Sequence, residues 1–147
     1  MRHEWANRIP KNIDAIDAAP LMCAGAAAYS SFKKTSVETG DTLAIFGLGG
    51  LGQYAVQIAK LSGVRVIAVD VSEDKLEKAK ELGADEVVRA DESAGSAIKD
   101  LGGADGCVNF APVAATWPLM LAACNPRANI VLTAVPADQM AFYAHEV

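Results

Sequence analysis

One seven-residue run constrains this chain more than any other feature: Phe46-Gly47-Leu48-Gly49-Gly50-Leu51-Gly52. A G-x-G-x-x-G spacing alone is a weak signal, and its surroundings give it meaning. It follows the apolar run Leu43-Ala44-Ile45-Phe46 and opens a helix-like stretch over residues 53–61. A second apolar run, residues 64–69, then ends on Asp70, 18 residues past Gly52. Strand, glycine turn, helix, strand and acidic residue, in that order, form the layout of a dinucleotide cradle. Gly47 turns the chain sharply out of the strand. Gly49 lacks a Cβ, so a pyrophosphate can come close to the backbone, and Gly52 lets the helix pack tightly on the strand. Leu48, Gly50 and Leu51 complete the turn, and the helix start at Leu51-Gly52 offers open N–H groups and a positive dipole end to phosphate oxygens. Asp70, with Val71 beside it, stands where a carboxylate accepts hydrogen bonds from a ribose diol. The same charge repels a 2′-phosphate, and Val71-Ser72 rather than Arg or Lys follow it, so NAD is expected in preference to NADP.

The chain has 147 residues, 52% apolar and 21% charged, which suits one globular α/β domain. A net charge of −5 with no basic block argues against nucleic acid as a partner. No apolar stretch has membrane length and Met1-Arg2-His3-Glu4-Trp5 is polar, so no membrane partner and a cytoplasmic setting are expected. Cys23, Cys107 and Cys124 match no zinc spacing, and the last two read as packed core thiols.

Strand and helix signals alternate from Asp41 onward. Strands are expected over residues 42–46, 64–69, 86–89, 106–110 and 129–133, and helices over 51–62, 73–82, 93–101 and 115–123. Ser72 suits an N-cap, Gly83 a C′ position, and Asp74 with Lys78 an i,i+4 pair. The strands are apolar on both faces, the pattern of a parallel sheet covered by helices on both sides. The expected fold is therefore α/β: a single-domain, doubly wound parallel sheet of the Rossmann kind. Ahead of it, residues 1–35 read as an extension and helices leading into a domain of residues 36–147. Asp14 opens a short helical turn, and Pro20 is expected to start a longer helix reaching about Lys34.

Across residues 7–144 the text matches a family. Asp17-Ala18-Ala19-Pro20-Leu21-Met22-Cys23-Ala24-Gly25 and Thr39-Gly40-Asp41 precede the glycine turn, and Ala55-Val56-Gln57-Ile58-Ala59-Lys60, Asp70, Lys75 and Leu82-Gly83-Ala84-Asp85 follow it. The chain resembles the cofactor domain of zinc-dependent medium-chain alcohol dehydrogenases. The resemblance implies that Asp70 and Lys75 hold the adenosine ribose and that Phe110 and Ala111 lie along the path from that ribose to the nicotinamide. It implies that the backbone of Thr133, Ala134 and Val135 addresses the nicotinamide carboxamide. Cys23 matches the family's third catalytic-zinc ligand. The other two ligands belong to a separate catalytic domain, which this sequence lacks along with the family's four-cysteine zinc lobe and final sheet strand.

One thiolate cannot hold a catalytic zinc, which takes three protein ligands. His3 and His145 have no spacing that would recruit them. The expected function is that of an NAD(H)-binding domain of an alcohol dehydrogenase-like oxidoreductase, inactive alone and truncated at its last strand, with zinc not expected to bind. A stand-alone NAD-binding or interaction module is the alternative. A methyltransferase-like domain shares the strand, turn and acidic layout, but the Gly47 to Gly52 spacing and the Cys23 segment argue against it. An edge left open by the missing strand, on strand five or on residues 141–147, predicts self-association by sheet extension.

Overall fold

Five parallel strands form one sheet in the order β3-β2-β1-β4-β5. The computed structural model describes residues 8–139. The elements run α1 (Ala15–Pro20), a π-helical turn (Leu21–Gly25), α2 (Ala26–Thr35), β1 (Thr42–Phe46), α3 (Gly50–Leu61), β2 (Arg65–Asp70), α4 (Glu73–Glu81), β3 (Glu86–Arg89), α5 (Ala94–Asp100), β4 (Ala104–Asn109), α6 (Thr116–Ala123) and β5 (Cys124–Leu132). No helix among the described residues is long and apolar enough to cross a membrane.

The strand residues alternate between two cores because successive side chains leave a strand on opposite faces. Leu43, Ile45, Val66, Ala68 and Val108 pack with Ala28 and Phe32 of α2, Ala55, Val56 and Ala59 of α3, and Leu76 and Ala79 of α4. Ala44, Phe46, Ile67, Val69 and Cys107 pack with Ile98 of α5 and Met120 and Ala123 of α6. Both faces are thus apolar and covered, as the doubly wound reading requires. The chain winds outward from β1 through β2 to β3, then crosses by α5 to β4 on the other side of β1. That reversal opens a crevice between the carboxyl ends of β1 and β4, where such sheets take ligands.

Three local expectations are corrected. Pro20 does not start a long helix; it ends α1, and the chain widens into the π-helical turn before α2 begins. Proline carries no N–H and its ring crowds the preceding turn, so the i→i−4 ladder is interrupted there. Ser72 occupies the N-cap of α4 in extended conformation, but its side chain makes no cap bond, and its N–H instead donates to Asp70 Oδ1 at 3.0 Å. Lys78 turns to Glu81, at 2.8 Å, not to Asp74.

The fifth strand also starts five residues early, at Cys124. Its register with β4 shifts between Ala104 and Gly106, and Arg127 takes φ 70 within the shift. Gly83 does close α4, with φ 104, the left-handed C′ position that favours glycine.

Candidate nucleotide cleft

The glycine turn is wedged between strand ends. Gly47 takes φ 88, and a Cβ there would meet the Ala111 nitrogen at 2.7 Å and the Phe110 carbonyl carbon at 3.0 Å. Gly47 N–H donates to the Val69 carbonyl at 2.9 Å and Phe110 N–H to the Phe46 carbonyl at 2.8 Å, so β2 and β4 grip the turn from both sides. A Cβ on Gly52 would overlap the carbonyl oxygen of Gly47; only glycine lets α3 begin this close to the strand. Leu48 is fully buried beneath the turn.

Gly49 differs from both. It is the N-cap of α3 with φ −69 and ψ −165, and a Cβ there would meet nothing within 4 Å; the same open space faces Gly50. A glycine N-cap has no side-chain acceptor, so the N–H groups of Gly50 and Leu51 receive no side-chain cap, and the first intrahelical bond is Gln53 N–H to the Gly49 carbonyl at 3.0 Å.

Asp70 closes the other side. It ends β2 with only 6% exposure. Its Oδ2 accepts the Leu48 N–H at 2.7 Å, and its Oδ1 accepts the Ser72 N–H and lies 3.6 Å from Lys75 Nζ. The carboxylate is therefore fixed in orientation and tied to the glycine turn. With about four lone-pair sites, it retains capacity to accept from a diol.

A cavity of about 410 Å³ lies between these groups. Its walls include Gly47, Gly49, Asp70, Val71, Lys75, Phe110 and Ala111. Ala90, Pro112, Val113, Ala115, Thr116 and Leu119 also line it, and no sequence motif marks any of these six. Ala90 follows β3, Pro112, Val113 and Ala115 lie in the loop into α6, and Thr116 and Leu119 lie on α6 itself, small or apolar residues whose meeting depends on the crossover. The only hint is the place of Ala90 and Pro112 just after strand ends. The result is an apolar slot with one oriented carboxylate, one ammonium and a helix start at its edge. It can take a flat apolar group, accept hydroxyl donors and receive an anion.

Asn109, 1% exposed, shapes the rim. Its Nδ2 donates to the Ala111 carbonyl at 2.9 Å and its Oδ1 accepts the Ala111 N–H at 3.0 Å. Its own carbonyl accepts the N–H groups of both Thr133 and Ala134, at 3.0 and 3.1 Å. Those two N–H groups are thereby spent, leaving carbonyl oxygens as the backbone groups Thr133 and Ala134 offer outward. Thr133 Oγ1 meets Ser31 Oγ at 2.7 Å, joining the end of β5 to α2, while Val135 is exposed. Thr133, Ala134 and Val135 stand beyond β5, outside the lining of the slot.

Cys23 is exposed within the π-helical turn. Among the described residues no three His, Cys, Asp or Glu groups gather as a metal site. The donor set near Cys23 does not fit a catalytic zinc, which takes three protein ligands. His3, His145 and residues 141–147 lie outside the described residues.

Comparison with known proteins matches this geometry to a family. Residues 50–147 match the family model described as "Zinc-binding dehydrogenase". An alcohol dehydrogenase of Geobacillus stearothermophilus is 37% identical over 139 residues, covering 93% of this chain and 41% of that protein. The crystal structure of an alcohol dehydrogenase from Aeropyrum pernix superposes with a TM-score of 0.84 at 31% identity, covering 93% of this chain and 42% of that one. Acetophenone reductase from Geotrichum candidum, in complex with NAD, superposes with a TM-score of 0.80 at 27% identity, covering 95% and 40%. The chain thus spans about two-fifths of the length of the relatives it matches. With its sheet order, its glycine turn and a family match across residues 50–147, the chain belongs to the zinc-binding dehydrogenase family.

Proposed function

We propose that the slot binds NAD(H) and that the chain is the cofactor-binding part of an alcohol dehydrogenase-like oxidoreductase. The observation that carries this reading is the bond from Leu48 N–H to Asp70, which fixes a carboxylate across an open helix start. The first-turn N–H groups of α3 would face the pyrophosphate, with Gly49 giving it room. Asp70, assisted by Lys75, would accept the ribose hydroxyls. Val71, Ala90 and Val113 would flank the adenine, and Phe110 and Ala111 the path onward. Thr133, Ala134 and Val135 would meet the carboxamide through their carbonyls. Bound NAD supplies the hydride acceptor, and the protein's share is to hold and orient it. In this reading the chain alone binds NAD(H), works in the cytoplasm and turns over no alcohol. A carboxylate at 70 disfavours the 2′-phosphate of NADP.

Gly49→Ala tests the reading. Its backbone is one that any residue adopts and its Cβ space is empty, so stability should change by less than about 0.5 kcal/mol. The new methyl occupies the approach to the helix start, so NADH affinity in calorimetric titration should fall at least tenfold. Unchanged NADH affinity, or no binding by the parent chain, rejects the proposal. Zinc-dependent alcohol oxidation by the isolated chain would reject the inactive part of it.

A second element concerns assembly. The outer edge of β5 meets no partner strand among the described residues. An unpaired edge with Ile130, Val131 and Leu132 along it invites another strand. We propose that two copies associate there. Light scattering should give a mass above that of the monomer, and a monodisperse monomer at high concentration rejects it.

A further inference from the structure

The two thiols that read as ordinary core residues meet in the fold. Cys107 lies within β4 and is fully buried, whereas Cys124 starts β5 and is half-buried. Their sulfurs are 3.1 Å apart. The strand register conceals this, since Cys107 stands opposite Ile130 and Cys124 opposite Ala104. The register shift after Cys124 lets the start of β5 leave the straight ladder, and the Cys124 side chain reaches Cys107.

Cys124 also faces outward. It lines a second cavity, of about 530 Å³, together with Lys99, Trp117, Asn125 and Arg127. Lys99 Nζ donates to the Cys124 carbonyl at 2.6 Å and to Asn125 Oδ1 at 3.1 Å, so an ammonium stands beside this cysteine. A reachable thiol next to a cation, with a second thiol buried behind it, is the arrangement of an attacking and a resolving cysteine.

We propose that Cys107 and Cys124 form a redox pair, which closes to an intramolecular disulfide in the folded chain when a hydroperoxide reaches Cys124 through this cavity. The Cys124 thiolate attacks the terminal oxygen of the hydroperoxide. A sulfur–oxygen bond forms, the oxygen–oxygen bond breaks, and the leaving oxygen takes a proton to depart as an alcohol, or as water from hydrogen peroxide. Cys124 is then a sulfenic acid. The Cys107 sulfur attacks it, the sulfur–sulfur bond forms, and the hydroxyl leaves with the Cys107 proton as water. In sum, two thiols are oxidised and one peroxide bond is reduced.

The order of attack follows from the surroundings. The hydrogen bond from Cys107 holds the Cys124 thiol below its usual pKa despite partial burial, and Lys99 adds to this. The same hydrogen bond, with burial, pushes Cys107 up. Bonded sulfurs lie about 2.0 Å apart, so closure takes a side-chain shift of about 1 Å. The closed loop would hold all of α6 and the slot-lining residues Phe110, Ala111, Val113 and Thr116. Restraining it should raise the thermal midpoint by several degrees, reversibly.

The full chain, treated with hydrogen peroxide under native conditions, quenched by alkylation and digested, should yield a Cys107–Cys124 linked peptide lighter by two hydrogens. Exposed Cys23 serves as the internal control and should stay outside that link. Cys107→Ala should stop Cys124 at a sulfenic acid captured by dimedone. Three results overturn the proposal: a link that forms only in urea, over-oxidation of Cys124 in the parent chain without a link, or a Cys23-linked dimer while Cys107 and Cys124 remain alkylatable. The link is read directly in the parent chain, so the test decides the matter even if Cys107→Ala fails to fold.

Discussion

The unit β1–α3–β2 and the unit β4–α6–β5 are the same motif, strand, crossover helix and parallel strand, yet they are finished differently. In the first, the five residue pairs from Thr42↔Arg65 to Phe46↔Val69 run without a break. Every residue of β2 from Val66 to Asp70 is buried, and the glycine turn locks strand to helix. In the second, the ladder shifts after Ala104, Arg127 takes a left-handed backbone, and no residue of β5 is fully buried. The first unit is closed by its own residues. The second leaves β5 as an edge strand among the described residues.

The sharpest way to break the comparison is through glycine. Gly52→Ala sets a methyl against the backbone of Gly47, which cannot move without undoing the turn. It should cost about 3 kcal/mol or more, read as a large drop in the urea midpoint or loss of the fold. Gly106→Ala, at the start of the regular β4–β5 ladder, meets Val37 Cγ1 at 2.7 Å and Thr35 Cβ at 3.1 Å, both side-chain atoms. Val37 Cγ1 can turn aside by rotation and Thr35 Cβ, tied to its backbone, need give only a few tenths of an ångström, so this variant should cost about 1–2 kcal/mol. Equal costs would mean that the glycine turn is no tighter than the second unit.

A smaller effect separates the two units at strand residues. Ile67 on β2 is fully buried, while Ile130, paired with Cys107 on β4, is half-buried. Ile67→Ala should cost about 3–4 kcal/mol, and Ile130→Ala about half of that, since less apolar surface and less cavity are at stake. If Ile130→Ala proves as costly as Ile67→Ala, β5 is covered in solution by a partner, which would sharpen the case for association at its edge.

The closed unit is also the legible one. Residues 42–46 can be read as a strand to the residue, because the apolar run there ends on Gly47, and β2, expected over 64–69, lies at Arg65–Asp70. The glycine turn and the acidic end of β2 are local in sequence, and so are the groups they bring together. What cannot be read is what depends on distance. Ala90, Val113 and Thr116 join the slot only because the chain crosses over β1, and nothing in their residue types announces it. Pro20 carries a dual signal, a favoured helix start or a break, and the π-helical turn that resolves it is a packing outcome. The early start of β5 runs through Pro126, a residue that local propensity places outside a strand. The contact between Cys107 and Cys124 arises from the same irregularity.

The smallest effect concerns the lysine tie beside each unit. Lys60 of α3 binds the Asp85 carboxylate, with Nζ at 2.7 and 2.8 Å from its oxygens, and Asp85 also accepts the Val66 N–H of β2 at 2.7 Å. Beside the second unit, Lys99 of α5 binds the Cys124 carbonyl and the Asn125 amide oxygen at the start of β5, neither of which titrates near neutrality. Burial works to raise the Asp85 pKa. The hydrogen bond from Lys60, the Val66 N–H and the charges of Lys60 and Arg65 together outweigh it and hold the carboxyl below its usual value. A carboxyl depressed in the folded state contributes stability at every pH above its unfolded value and loses it as pH falls through the folded value. Because the pair is about a third exposed, salt screens it and its worth is at most about 1 kcal/mol. Below the ordinary aspartate range, the amide of Val66 should lose hydrogen-exchange protection before the amides of β4, and Asp85→Asn should abolish that early loss. Equal loss in both units, or an unchanged profile in Asp85→Asn, would show that the tie at Asp85 does not distinguish them.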